Sequence, residues 1–137
     1  MASEGSGMSK TLSHLHLTVN ARIKPLKEVS KEMADCLIKD LLSAADMKAL
    51  GPLIFSGAED LDFPGQSFVQ MITTSHCSLH FFLDTNEIYF DLYSCKPFDP
   101  KKIINIITSY FGIEMYHGMI YKRGNSTGVT VSKIGRW

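Results

Sequence analysis

The 137-residue sequence predicts an α+β fold, a two-layer sandwich with two helices on one face of a mostly antiparallel sheet. Two patterns lead there. Most segments alternate apolar and polar residues, as half-buried strands do, while two place apolar residues three and four apart, as amphipathic helices do. Their order, β-α-β-β-β-β-α-β with edge additions, gathers both helices on one side of the sheet. A composition of 45% hydrophobic and 20% charged residues suits one domain with one core.

Residues 1–10, containing Ala-Ser-Glu-Gly-Ser-Gly, lack the apolar region of a signal peptide and read as a disordered tail or tag. A single domain is expected over 11–137. Thr11 to Ala21 alternates around Leu12, Leu15, Leu17 and Val19 and reads as the first strand. His14 and His16 share one face there, a spacing that either chelates a metal or decorates a half-exposed strand. No carboxylate or thiolate lies nearby in sequence, so no metal is expected. Pro25 opens an amphipathic helix through about Leu50, with Cys36 among its apolar residues as a small core side chain. Gly51-Pro52 ends it.

Pro52 to Phe55 reads as a short strand and Ser56 to Pro64 as an acidic loop. Gln66 to Thr74 reads as a central strand feeding directly into a hairpin over Met71 to Cys95, whose polar break is Thr85-Asn86-Glu87. Alternation puts His76, Ser78, His80, Phe82 and Asp84 on one side of it, and Ser75, Cys77, Leu79 and Phe81 on the other. Asp99 caps a second helix beginning at Pro100, rich in isoleucine and therefore laid flat on the sheet. Ile113 to Lys122 and Gly128 to Ile134 are the last strands. Two helices cover one face only, leaving Phe, Tyr and Ile side chains for a second copy to bury.

Charge and cysteines narrow the function. Lys+Arg and Asp+Glu number 14 each, so the electrostatic footprint of a nucleic-acid binder is absent. No apolar run reaches membrane-span length. Cys36, Cys77 and Cys95 form an odd set without a Cys-x-x-Cys pair, which argues for a reducing cytoplasm over a disulfide framework.

The hairpin carries more chemistry than a hairpin needs. Ser75-His76-Cys77-Ser78-Leu79-His80, an acidic residue four after His80 and a cysteine twenty after Ser75 resemble the small prokaryotic S-adenosylmethionine decarboxylase proenzymes. That family's string is Ser-His-(Ile/Leu)-(Ser/Thr)-(Ile/Val)-His-Thr-(Trp/Tyr)-Pro-Glu, with a later Thr-Cys-Gly. Here His80-Phe81-Phe82-Leu83-Asp84 and Ser94-Cys95-Lys96 stand at those positions. Pro64-Gly65-Gln66-Ser67 resembles its Gly-Val-Ser segment, and Tyr121-Lys122-Arg123-Gly124 its Glu-Arg-Gly. The likeness spans roughly residues 11–124.

The resemblance implies a cofactor made from the chain. Ser75 attacks the carbonyl of Thr74, the chain is cut into 1–74 and 75–137, and Ser75 becomes a pyruvoyl group that forms a Schiff base with a substrate amine. His80 matches the processing base, Ser67 the processing aid and Cys95 the proton donor. Phe82, Asp84 and Phe63, or Leu61 in place of Phe63, match substrate-binding positions. Thr74 replaces a commonly charged residue, Asp84 a glutamate and Lys96 a glycine. The implied function is a self-processing, homodimeric decarboxylase that supplies an aminopropyl donor for polyamine synthesis. Two alternatives stay open: the same machinery acting on ornithine or arginine, and an uncut paralogue with a binding or regulatory role. Read singly, Ser75 is also an ordinary strand serine, and His80 and Cys95 ordinary core residues.

Overall fold

The structure is a computed structural model that describes residues 14–58, 62–126 and 128–136. The expected tail, the first residues of the first strand and Leu61 lie outside the described residues. Seven strands form one sheet: β1 (His14–Ile23), β2 (Ile54–Ala58), β3 (Gly65–Ile72), β4 (Ser75–Phe82), β5 (Glu87–Ser94), β6 (Ile113–Gly124) and β7 (Gly128–Gly135). Their spatial order is β2-β3-β4-β5-β1-β6-β7, and every neighbouring pair is antiparallel. Helices α1 (Lys31–Ala44) and α2 (Pro100–Phe111) pack on one face. This is the expected two-layer α+β arrangement.

The core follows from alternation. Leu15, Leu17, Val19 and Ala21 of β1, Cys77, Leu79 and Phe81 of β4, and Ile88, Phe90 and Leu92 of β5 point toward the helices and are buried. They meet Leu37, Leu41, Ile103 and Ile107. Isoleucines four apart give α2 its apolar stripe, Asp99 accepts from the Lys101 N–H at its N-cap, and Gly112 closes it in the left-handed region.

Four expectations needed correction. α1 starts at Lys31, because the Ser30 hydroxyl accepts the Met33 N–H and fixes the helix start six residues past Pro25. It ends at Ala44, and Asp46 turns into the left-handed region at φ 54°. The buried stripe is therefore Ala34, Leu37, Ile38, Leu41 and Leu42, and Cys36, roughly 200° around from Ala34, is exposed. β2 continues through Ala58, into the expected loop, because it pairs with β3 from Ile54↔Val69 to Ala58↔Gly65. β3 lies one strand from the edge rather than at the centre, and it does not run straight into β4. Thr73 and Thr74 form a two-residue turn between paired Ile72 and Ser75, so the segment is a three-strand meander. The β4–β5 turn is Leu83–Asn86, with Phe82 opposite Glu87, so Glu87 belongs to the strand and Asp84 to the turn.

The uncovered face also differs in composition. Strand pairing places all five histidines there: His14, His16, His76, His80 and His117. Tyr89, Tyr93, Tyr121, Met71, Met115 and Met119 share that face, with Phe82 and Ile54. Among the described residues, no helix is long and apolar enough to cross a membrane.

Gly65 fixes the entry to β3. A Cβ added there would lie 1.8 Å from the Phe81 carbonyl oxygen, a backbone atom that no rotamer change can move. Gly65→Ala should cost about 1–3 kcal/mol. The check is a lower denaturant midpoint at unchanged slope, and an unchanged midpoint would show that the strand pair yields without strain.

Candidate active site

Two half-sites sit at opposite ends of β4. The first is built on the Thr73–Thr74 turn. Two-residue hairpin turns favour Asn-Gly or Gly-X because they need positive φ. Here Thr74 itself stands at φ 49°, an unusual position for a β-branched residue and one that stores on the order of 1–3 kcal/mol. Ser75 follows, 6% exposed and turned toward the helix layer. Its Oγ accepts the backbone N–H of Cys95 at 3.0 Å.

Cys95 follows the end of β5, where buried Ser94 pins the chain by donating to the Lys96 carbonyl and accepting the Lys96 N–H. The Thr74 hydroxyl lies 3.1 Å from Cys95 Sγ and holds the thiol below its usual range, with smaller help from Ser75, the backbone N–H and Lys96 and some opposition from burial. Lys96 Nζ donates to the carbonyl of Asp46 and lies 3.4 Å from its carboxylate. A cavity of about 400 Å³ opens here, lined by Asp46, Lys48, Thr74, Ser75, Cys95 and Lys96. The sequence reading passed over Asp46 and Lys48. No local pattern announces them, since they arrive only because α1 stops early.

The second half-site lies at the far end of β4. Ser67 and His80 are cross-strand partners, with Oγ and Nδ1 2.7 Å apart. A second cavity of about 400 Å³ brings Phe63, Phe82 and Asp84 together with Asp62, Glu87 and Tyr89. Phe82 and Tyr89 meet edge to face, with ring centroids 5.5 Å apart. The structure thus pairs Ser67 with His80, Ser75 with Cys95, and the three expected substrate residues with one another. Within one chain it does not unite the two halves. His80 is five residues from Ser75, roughly 16 Å along an extended strand, and on the opposite face.

His14 and His16 have partners of their own. His14 Nδ1 bonds the Tyr93 hydroxyl, and His16 Nε2 lies 3.2 Å from Asp91, a carboxylate that sequence distance concealed. Among the described residues no group of three or more His, Cys, Asp or Glu side chains is placed to hold a metal. The rings of His16, His76, Tyr93 and Tyr121 form a cluster, with Arg123 over Tyr93. Cys77 is wholly buried, which drives its thiol far upward and leaves it inert.

Comparison with known proteins agrees with this architecture. The structure resembles the adenosylmethionine decarboxylase of Aquifex aeolicus VF5, with a TM-score of 0.67 at 16% identity, covering 83% of this chain and 92% of that one. At that identity the likeness speaks for the fold. No curated protein sequence matches the chain. The family model described as S-adenosylmethionine decarboxylase matches residues 19–124, which include both half-sites. A match over that much of the chain settles the grouping: the protein belongs to the S-adenosylmethionine decarboxylase family.

Proposed function

We propose that the chain cuts itself between Thr74 and Ser75 and, as a homodimer, decarboxylates S-adenosylmethionine, yielding the aminopropyl donor used in polyamine synthesis. The observation that carries this reading is the left-handed Thr74 directly before a nearly buried Ser75, with Cys95 against both. A strained peptide lowers the barrier to its own rearrangement.

Attack of Ser75 Oγ on the Thr74 carbonyl carbon forms a C–O bond and breaks the Thr74–Ser75 C–N bond, leaving an ester and a free amine. Removal of the Ser75 α-proton by a base expels the Thr74 carboxylate. Water then enters and ammonia leaves, so that residue 75 ends as a pyruvoyl group. That group supplies an electron-accepting carbonyl of the kind pyridoxal phosphate supplies elsewhere. The first cavity fits its formation, since the precursor hydroxyl is held by the Cys95 N–H and a thiol is at hand. Cys95 returns a proton to the substrate carbon that loses carbon dioxide. Phe82 and Phe63 offer stacking surfaces for a base, and Asp84 an acceptor for ribose hydroxyls.

The base and the binding residues stand at the wrong end of β4 for their own Ser75. A second copy laid antiparallel on the open face sets each copy's far end against the other's near end. One two-fold axis then completes two sites. His80 therefore serves the partner's Ser75. A second reading concerns the substrate. Among the described residues, Asp62, Asp84 and Glu87 give the far cavity three carboxylates and no cationic side chain, which favours the cationic end of ornithine or arginine.

One experiment tests both points. Ser75→Ala and His80→Ala chains are expressed singly and together, then assayed for cleavage and for carbon dioxide released from S-adenosylmethionine, ornithine and arginine separately. Each variant alone should stay uncut and inactive. Together, the His80→Ala chain should be cut by its partner and activity should return. Failure of the co-expressed pair alone would place the base in cis. A fully cut parent that releases carbon dioxide only from a basic amino acid would select the second reading.

A further inference from the structure

Thr74 precedes the proposed cut, and its side chain also engages the thiol of Cys95. The hydroxyl has two acceptors in range, the Thr73 carbonyl at 2.8 Å and Cys95 Sγ at 3.1 Å. Its one proton serves one acceptor at a time. An ionised sulfur is the stronger acceptor of the two, so the contact favours the thiolate. Thr74 stands at φ 49° in the two-residue turn between paired Ile72 and Ser75, a strained position that the turn imposes.

We propose that Thr74 clamps Cys95 while the chain is whole, and that cutting the Thr74–Ser75 bond opens the clamp and arms the thiol as a proton donor. The proposal rests on the self-cleavage reading. Before the cut, the Thr74 hydrogen bond favours the thiolate over the thiol, and a thiolate has no proton to give. The cut frees Thr74 to leave its strained conformation. It also converts the Thr74 carbonyl into a carboxylate, whose negative charge beside the sulfur opposes ionisation. Both changes favour the protonated thiol, so the acid becomes ready only when the cofactor exists. The other charged groups facing the cavity are Asp46, Lys48 and Lys96, and Lys96 is already tied to Asp46. Cutting the Thr74–Ser75 bond leaves that pair in place, so it does not cancel the effect.

The test reads the thiol directly. In a Cys36→Ser background, which removes the exposed thiol, Cys95 alkylation by iodoacetamide is followed against pH by peptide mass. In the uncut Ser75→Ala chain, Thr74→Val keeps the shape and removes the hydroxyl. It should move the alkylation midpoint to higher pH, and Thr74→Ser should leave it where threonine does. The fully cut parent should titrate at or above the Thr74→Val chain and not with the uncut one. Identical midpoints for threonine and valine in the uncut chain would overturn the clamp, whether or not the parent cleaves. A parent that never cleaves would overturn the self-cleavage reading, whatever the midpoints.

Discussion

A Ser75→Ala chain should remain a single 137-residue polypeptide, while the parent resolves into fragments 1–74 and 75–137. The effect is expected to be all or none because alanine removes the atom proposed to attack the Thr74 carbonyl. Loss of the Oγ also frees the Cys95 N–H, but an unpaired backbone donor at a partly exposed strand end costs only about 1–3 kcal/mol, which a folded domain tolerates. Intact mass of the purified protein gives the answer. The short fragment of the parent should lack a free amino terminus and resist Edman degradation. An uncut parent after prolonged incubation would dispose of the pyruvoyl mechanism for this chain. A cut Ser75→Ala chain would mean that a different bond or nucleophile is at work.

The Cys95→Ala chain should divide the two chemistries. Cleavage should persist, because the contact that holds Ser75 Oγ comes from the backbone N–H of residue 95, which alanine keeps. Decarboxylation should fall by roughly 10²–10⁴-fold, the usual loss for a positioned acid–base group. Protonation at the wrong atom should also divert some cycles to transamination, leaving alanine at residue 75 and a dead enzyme. A time course of carbon dioxide release with the mass of the short fragment reports both. In the parent, activity that needs the protonated thiol must decline as pH rises through the Cys95 pKa. Lys96 and the remaining hydrogen bonds act to bring that decline to lower pH. Parental rates from Cys95→Ala would remove the proton-donor assignment.

Local pattern revealed what depends on local pattern. Alternation alone separated Ser75 and Cys77 from His76 and His80, and the burial of β4 follows that division. The Asp99–Pro100 start of α2 was equally plain, since capping chemistry is read from adjacent residues. The Thr73–Thr74 turn was not legible, because neither glycine, proline nor asparagine marks it. Two threonines in a row look like strand. The early end of α1 was hidden for a similar reason, and with it the approach of Asp46 to Lys96. The separation of His80 from Ser75 was legible in their odd spacing, five residues along one strand. His16 meeting Asp91 needed the crossing of β1 between β5 and β6, which no short window contains.

If the chain is cut as proposed, that crossing changes what kind of object it becomes. Fragment 1–74 holds β1, α1, β2 and β3, and fragment 75–137 holds everything else. In the sheet, β1 is wedged between β5 and β6 of the other fragment, while β3 runs eight residue pairs along β4. The two pieces are interlaced, and neither owns a contiguous sheet. Before the cut, folding is an event within one molecule. Afterwards a denatured protein must reassemble by collision, so recovery depends on concentration and competes with aggregation. The native form then persists through the slowness of drawing β1 out of the sheet's interior. Self-cleavage on this topology makes folding a journey taken once, completed as an uncut chain and not readily repeated by its fragments.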